Sequence, residues 1–90
     1  MPLIEKEYEW IKKIVDGYDE VMLDEVLEDE KEIEIDLFPR RFHQDYHKKN
    51  NSDYLTQCEA IRKEIISRSN CDVAYDFDVE NSWQFLYIIK

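Results

Sequence analysis

Within residues Lys31 to Phe38, the six from Glu32 to Leu37 alternate strictly between acidic and apolar side chains, and this pattern constrains the fold more than any other feature of the chain. Successive side chains of an extended segment point to opposite sides, so a strict alternation predicts a half-buried strand. Its two faces are Glu32, Glu34 and Asp36 against Ile33, Ile35 and Leu37. Pro39 is expected to end the strand. The chain therefore needs a sheet with one apolar and one acidic face.

Two helices are predicted before this strand. Apolar residues with helical spacing indicate the first, which is expected to end at Gly17 in a left-handed cap. Asp19 is expected to cap the second, which could instead continue the first helix with a kink. The apolar side of the second helix is Val21, Met22, Leu23, Val26 and Leu27.

The second half of the chain predicts one more helix and a hairpin. Residues 40–51 are basic and aromatic and are expected to form a short helix and a loop, before a longer helix that runs to about Ser69. Residues 72–79 again alternate, with a row of acids on one side. Residues 83–89 are apolar on both sides, which is typical of a central strand.

Two facing rows of carboxylates would repel each other, and this decides the expected strand order. Placing the C-terminal strand between the strands at 31–38 and 72–79 separates the rows. The sequence therefore predicts an α+β fold in the order α-α-β-α-β-β, with a three-stranded, mostly antiparallel sheet and helices on one face. Leu86 and Ile88 are expected on the second, partly open face.

Charge is distributed unevenly along the 90 residues, which we expect to form one domain, 1–90. Residues 1–36 hold 14 Asp and Glu against 4 Lys and Arg, whereas residues 37–90 hold 8 of each, for a net charge of −10. Such a chain is repelled by nucleic acid and by anionic lipid. We expect a cytoplasmic protein with reduced Cys58 and Cys71, no membrane contact and a basic protein surface as partner.

The acids of the predicted second helix form rows on its surface. Glu20, Asp24 and Glu28 are four residues apart, with Glu25 and Asp29 beside them. Side chains at this spacing lie about 6 Å apart along a helix, similar to successive phosphates of a nucleic-acid strand. The rows continue into Glu32, Glu34 and Asp36, and this stretch is the predicted partner-binding surface. The alternative is a solvated face that keeps a small protein soluble.

Other candidate sites are weaker. His43 and His47 have metal-ligand spacing, but four nearby Lys and Arg disfavour a cation. Asp76, Asp78 and Glu80 could bind a divalent ion but lack the nearby lysine that a metal nuclease needs. We therefore expect no enzyme, no cofactor and no resident metal. Most aromatic residues are expected in the core, and Tyr18, Tyr46 and Tyr54 are the candidates for exposed anchors.

In size, charge and predicted fold pattern, the chain resembles small acidic inhibitors such as phage anti-restriction and anti-CRISPR proteins, and the immunity proteins of nuclease toxins. This resemblance transfers no residue, and it implies a non-enzymatic inhibitor that occupies a nucleic-acid-binding groove by phosphate mimicry. An immunity protein or antitoxin is one alternative. A structural subunit that forms a homodimer through Leu86 and Ile88 is another.

Overall fold

The computed structural model describes residues 3–40, 52–78 and 83–90 of the chain. Helix α1 spans Leu3–Asp16 and helix α2 spans Ser52–Ser69. Gly17 ends α1 without the expected left-handed conformation, and its amide donates to the carbonyl oxygen of Ile14 at 3.1 Å instead. The left-handed residue is Asn70, which follows α2 with φ of 57°. Asparagine tolerates this conformation better than most residues.

The segment predicted as a second helix is a strand. Strand β1 spans Val21–Glu28 and pairs antiparallel with β2, which spans Glu32–Pro39. A bulge between Leu23 and Glu25 inserts Asp24 as an unpaired residue. Odd-numbered residues of β1 face the core before the bulge, and even-numbered residues face it after the bulge. Leu23 and Val26 therefore both face the core. This broken alternation resembles a helical spacing, which explains the wrong prediction.

The four strands form one antiparallel sheet in the order β1-β2-β4-β3. Strand β3 spans Val73–Asp78 and β4 spans Trp83–Ile89. The predicted α+β class and the inner position of the C-terminal strand are therefore confirmed. The sheet has four strands where three were predicted, and the described residues hold two helices. The predicted short helix within 40–51 lies almost entirely outside the described residues.

The orientation of β4 is the reverse of the prediction. Ile33 of β2 pairs with Ile88, and Ile35 pairs with Leu86, so both β4 residues lie on the helix side of the sheet. Ile88 is only 3% exposed. The prediction of a homodimer through Leu86 and Ile88 is therefore wrong, because both side chains are buried in the core. The alternate residues of β4 lie on the opposite face, which contradicts their expected place in the core; they are Trp83, Phe85 and Tyr87.

Both helices pack on the same face of the sheet. Ile11 and Val15 of α1 join Ile61 and Ile65 of α2 in one cluster with the inward strand residues. Tyr54 is fully buried in this cluster, and its hydroxyl donates to the carbonyl oxygen of Leu37 at 3.3 Å. It is therefore a core residue and not an exposed anchor. Neither of the two described helices is both long and apolar enough to cross a membrane.

Candidate functional site

The face of the sheet opposite the helices is acidic, and we call it the outer face. The sequences of the four strands contain eight Asp and Glu and no Lys or Arg. Glu28 pairs with Ile33 on the helix side, and the other seven acids belong to the outer face. These seven are Asp24, Glu25, Glu32, Glu34, Asp36, Asp76 and Asp78.

An aromatic row runs along β4 between the acids of β2 and those of β3. The rings of Trp83 and Phe85 stack with centroids 6.2 Å apart, and Phe38 of β2 approaches Trp83 at 5.4 Å. Tyr87 continues the row, with Glu34 as its β2 neighbour. Burial raises the pKa of Tyr87, and the acids on both sides raise it further. The outer face thus combines ring surface with negative potential.

Three carboxylates meet where the bulge of β1 lies beside β2. One oxygen from each of Asp24, Glu25 and Asp36 lies within 4.8 Å of the other two. Asp36 is only 6% exposed, and its Oδ1 is a buried atom without a hydrogen-bond partner. Burial raises the pKa of Asp36 to about 7, helped by a hydrogen bond with Glu34 and by repulsion from the neighbouring acids. A proton on Asp36 is therefore retained up to about neutral pH.

The structure separates the predicted partner-binding residues into two groups. Asp24, Glu25, Glu32, Glu34 and Asp36 lie together on the outer face. The other three do not form the predicted helical row, because β1 is a strand. Glu20 is buried before β1, and Glu28 pairs with the Lys90 ammonium. Asp29 closes the turn before β2, where its Oδ1 accepts from the amides of Lys31 and Glu32. These bonds lower the pKa of Asp29.

Sequence reasoning missed part of the outer face. Asp76 and Asp78 were used to set the strand order and were weighed as metal ligands, but they were not included in the predicted partner-binding surface, although they lie beside β4 on the same face. The aromatic row was missed because both faces of β4 are apolar, and alternation alone does not say which one is buried. The candidate metal residues His43, His47 and Glu80 lie outside the described residues, as does Tyr46.

The helix layer is chemically different, because several of its described charged groups have local partners. The Lys12 ammonium lies 2.8 Å from Asp16, and the Arg62 guanidinium lies 3.0 Å from Glu59. Tyr18, which follows α1, donates to Glu64 of α2, and this bond raises the pKa of Tyr18 to about 12. These charges of the helix layer are therefore paired with each other, and the outer face is the better candidate for binding a charged partner.

Comparisons with protein-family models, with curated proteins and with solved structures find no match to this chain. The chemistry of the outer face is therefore what points to a function.

Proposed function

We propose that this chain is a small acidic, non-enzymatic inhibitor that binds the cationic nucleic-acid-binding groove of a nuclease or other nucleic-acid-binding protein through its outer face. The observation that carries the proposal is the charge of this face, with seven carboxylates and no Lys or Arg from any strand. A surface of one sign costs self-repulsion, which a cationic partner relieves.

The spacing of the carboxylates supports phosphate mimicry, although the acids lie along strands and not along the predicted helix. Glu32, Glu34 and Asp36 occupy alternate positions of one strand. Side chains at alternate positions lie about 7 Å apart, because each residue of a strand rises about 3.3 Å. This separation is similar to that of successive phosphates. Two such acid rows, on β2 and β3, lie on either side of β4.

The aromatic row favours arginine in the partner. A guanidinium stacks on a ring face and donates hydrogen bonds to two carboxylate oxygens in its own plane, whereas the lysine ammonium is a compact point charge. Phe85 has Asp36 as its neighbour on one side and Asp76 on the other. Grooves that bind nucleic acid are rich in arginine. The outer face therefore offers both kinds of contact that such a groove requires.

Capture from an extract of the source cell tests this proposal. The reversal Asp24→Lys with Glu34→Lys and Asp76→Lys changes the outer face, and none of these side chains is buried. The matched control, Glu9→Lys with Glu30→Lys and Asp72→Lys, changes the net charge equally at exposed positions away from that face. We expect the wild type and the control to capture a basic nucleic-acid-binding protein at low salt, and the outer-face variant to lose it.

Salt and nucleic acid are the further readouts of the same experiment. Added salt screens exposed charges, so the captured protein should be released as the salt concentration rises. Duplex DNA should also release the captured protein, because DNA and this chain would compete for the same groove. The proposal would be contradicted if the outer-face variant still binds the captured protein and DNA does not displace it. If the captured protein is a nuclease toxin whose gene lies beside the gene for this chain, the inhibitor is an immunity protein.

A further inference from the structure

The two edges of the sheet carry side-chain contacts that occupy outward-facing backbone groups. The edge strands are β1 and β3. On β3, the carbonyl oxygen of Val73 accepts from the Arg62 guanidinium at 2.8 Å. On β1, the carbonyl oxygen of Val21 accepts from the Arg40 guanidinium at 2.8 Å, and the bulge interrupts the same edge. Charged side chains and bulges protect an edge from pairing with a further strand. The outer face is therefore a better place for a partner than either edge.

Apolar side chains of β4 form an exposed row along the outer face. Trp83, Phe85 and Tyr87 are half-buried, and Ile89 continues the row with 43% of its surface exposed. Leu27 of β1 is 48% exposed on the same face. Apolar side chains that are exposed together on one face mark an interaction surface. The acids alone would attract any cation, whereas the apolar row requires a partner with an apolar side of its own.

The dimensions of the outer face fit an α-helix that lies along β4. The acids of β2 and β3 are two strand spacings apart, which is about 9.5 Å. An α-helix with its side chains is about 10–12 Å wide. The ring centroids of Trp83 and Phe85 are 6.2 Å apart. This spacing is close to the helix pitch of about 5.4 Å, so successive turns of one helix can contact successive side chains of the row.

We propose that the outer face binds a basic amphipathic α-helix of the partner along β4. The apolar stripe of this helix packs on the row from Trp83 to Ile89, and arginine side chains on its two flanks reach the acids of β2 and β3. Phe85 has Asp36 on one side and Asp76 on the other, so both flanks find a carboxylate. This assignment rests on the proposed function, because it names the element of the nucleic-acid-binding partner that contacts the outer face.

Two peptides of identical composition test the shape of the partner. Both contain about 18 residues of leucine, alanine and arginine, which favour helices. In one peptide, leucine recurs every three or four residues with arginine on both flanks, and in the other leucine and arginine alternate as in a strand. Fluorescence anisotropy of each labelled peptide measures its binding to the full-length chain. We expect the peptide with helical spacing to bind roughly tenfold more tightly at equal salt concentration, because only its helix has an apolar stripe between basic flanks.

Single variants separate the contribution of the apolar row from that of the acids. Ile89→Ala should weaken binding of the peptide with helical spacing by roughly fivefold or more, because it removes an exposed member of the row without opening the core. Glu34→Lys on β2 and Asp76→Lys on β3 should each weaken binding too, because the helix contacts both acid rows. Tyr8→Ala and Glu9→Lys change exposed positions of α1, and these matched controls should bind as the wild type does.

Equal binding of the two peptides, or no binding of either, would overturn the inference. An affinity that Ile89→Ala leaves unchanged would overturn it as well, because the apolar row would then make no contact. These results would leave the proposed function intact, since charge alone could hold the partner. The proposed function fails by a different readout, which is capture of the partner by the outer-face variant Asp24→Lys with Glu34→Lys and Asp76→Lys.

Discussion

The helix layer and the outer face carry their charges in opposite ways. Helix α1 contains four acids and three bases, and α2 contains three of each. The strands contain eight acids and no base. In the helices, opposite charges one turn apart pair with each other, as Lys12 and Asp16 do. The contrast shows that the net charge of −10 belongs mainly to the sheet and not to one end of the sequence.

This contrast has a physical meaning. Paired surface charges contribute little to stability or to binding, because each partner already screens the other. Acids gathered on a sheet face whose strands supply no Lys or Arg attract an outside cation. The helix layer therefore covers the core, while the outer face carries the concentrated negative charge of the molecule.

The largest expected effect tests which side of the sheet is buried. Ile88→Ala should lower the free energy of unfolding by about 2–5 kcal/mol, because it leaves a cavity in the core. Ile89→Ala is the matched control, since Ile89 is adjacent, identical in type and 43% exposed. It should cost less than about 1 kcal/mol. Denaturant unfolding measures both, and equal losses would contradict the orientation of β4.

The second prediction concerns the pH dependence of stability. The pKa of Asp36 is about 7 in the folded chain, against an ordinary value of 3.8. The folded state therefore binds more protons between these values, and stability falls as the pH rises from about 4 to about 7. Asp36→Asn removes this loss and should raise the free energy of unfolding at pH 8 by up to about 4 kcal/mol.

Unfolding curves at pH 5 and pH 8 measure this effect, where the benefit of Asp36→Asn should be larger at the higher pH. Asp76→Asn is the control, and it should retain the fall in stability between these pH values. A benefit from Asp36→Asn that is the same at both pH values would show that burial does not hold a proton on Asp36.

The smallest expected effect tests the repulsion on the outer face directly. Added NaCl should raise the free energy of unfolding by roughly 1 kcal/mol, because it screens like charges. The double variant Glu34→Gln with Asp76→Asn should respond less. The control, Glu9→Gln with Asp72→Asn, removes equal charge elsewhere and should respond as the wild type does. Identical salt responses in the two variants would show that the repulsion is not confined to the outer face.

The parts of the fold that could be predicted from the sequence are those in which one pattern allowed one solution. Strand β2 has isoleucine and leucine on one side and acids on the other, so its faces were unambiguous. The inner position of β4 followed from the repulsion between the acids of β2 and β3. Glu32, Glu34 and Asp36 were therefore placed correctly on an acidic sheet face.

The remaining parts depended on pairing, which a single segment does not reveal. The bulge at Asp24 hid the alternation of β1, and this misplaced Glu20, Glu28 and Asp29. Both faces of β4 are apolar, and only its register with β2 decides which one enters the core. The aromatic row of the outer face follows from that register, so the sequence pattern alone could not identify it.

Competition between this chain and duplex DNA for the purified partner tests the central claim most directly. Fluorescence anisotropy of labelled DNA bound to the captured protein should fall as the wild type is added. The control variant Glu9→Lys with Glu30→Lys and Asp72→Lys should displace the DNA equally well, since it keeps the outer face intact. The variant Asp24→Lys with Glu34→Lys and Asp76→Lys should leave the DNA bound. Displacement of the DNA by that outer-face variant as efficiently as by the wild type would contradict the account.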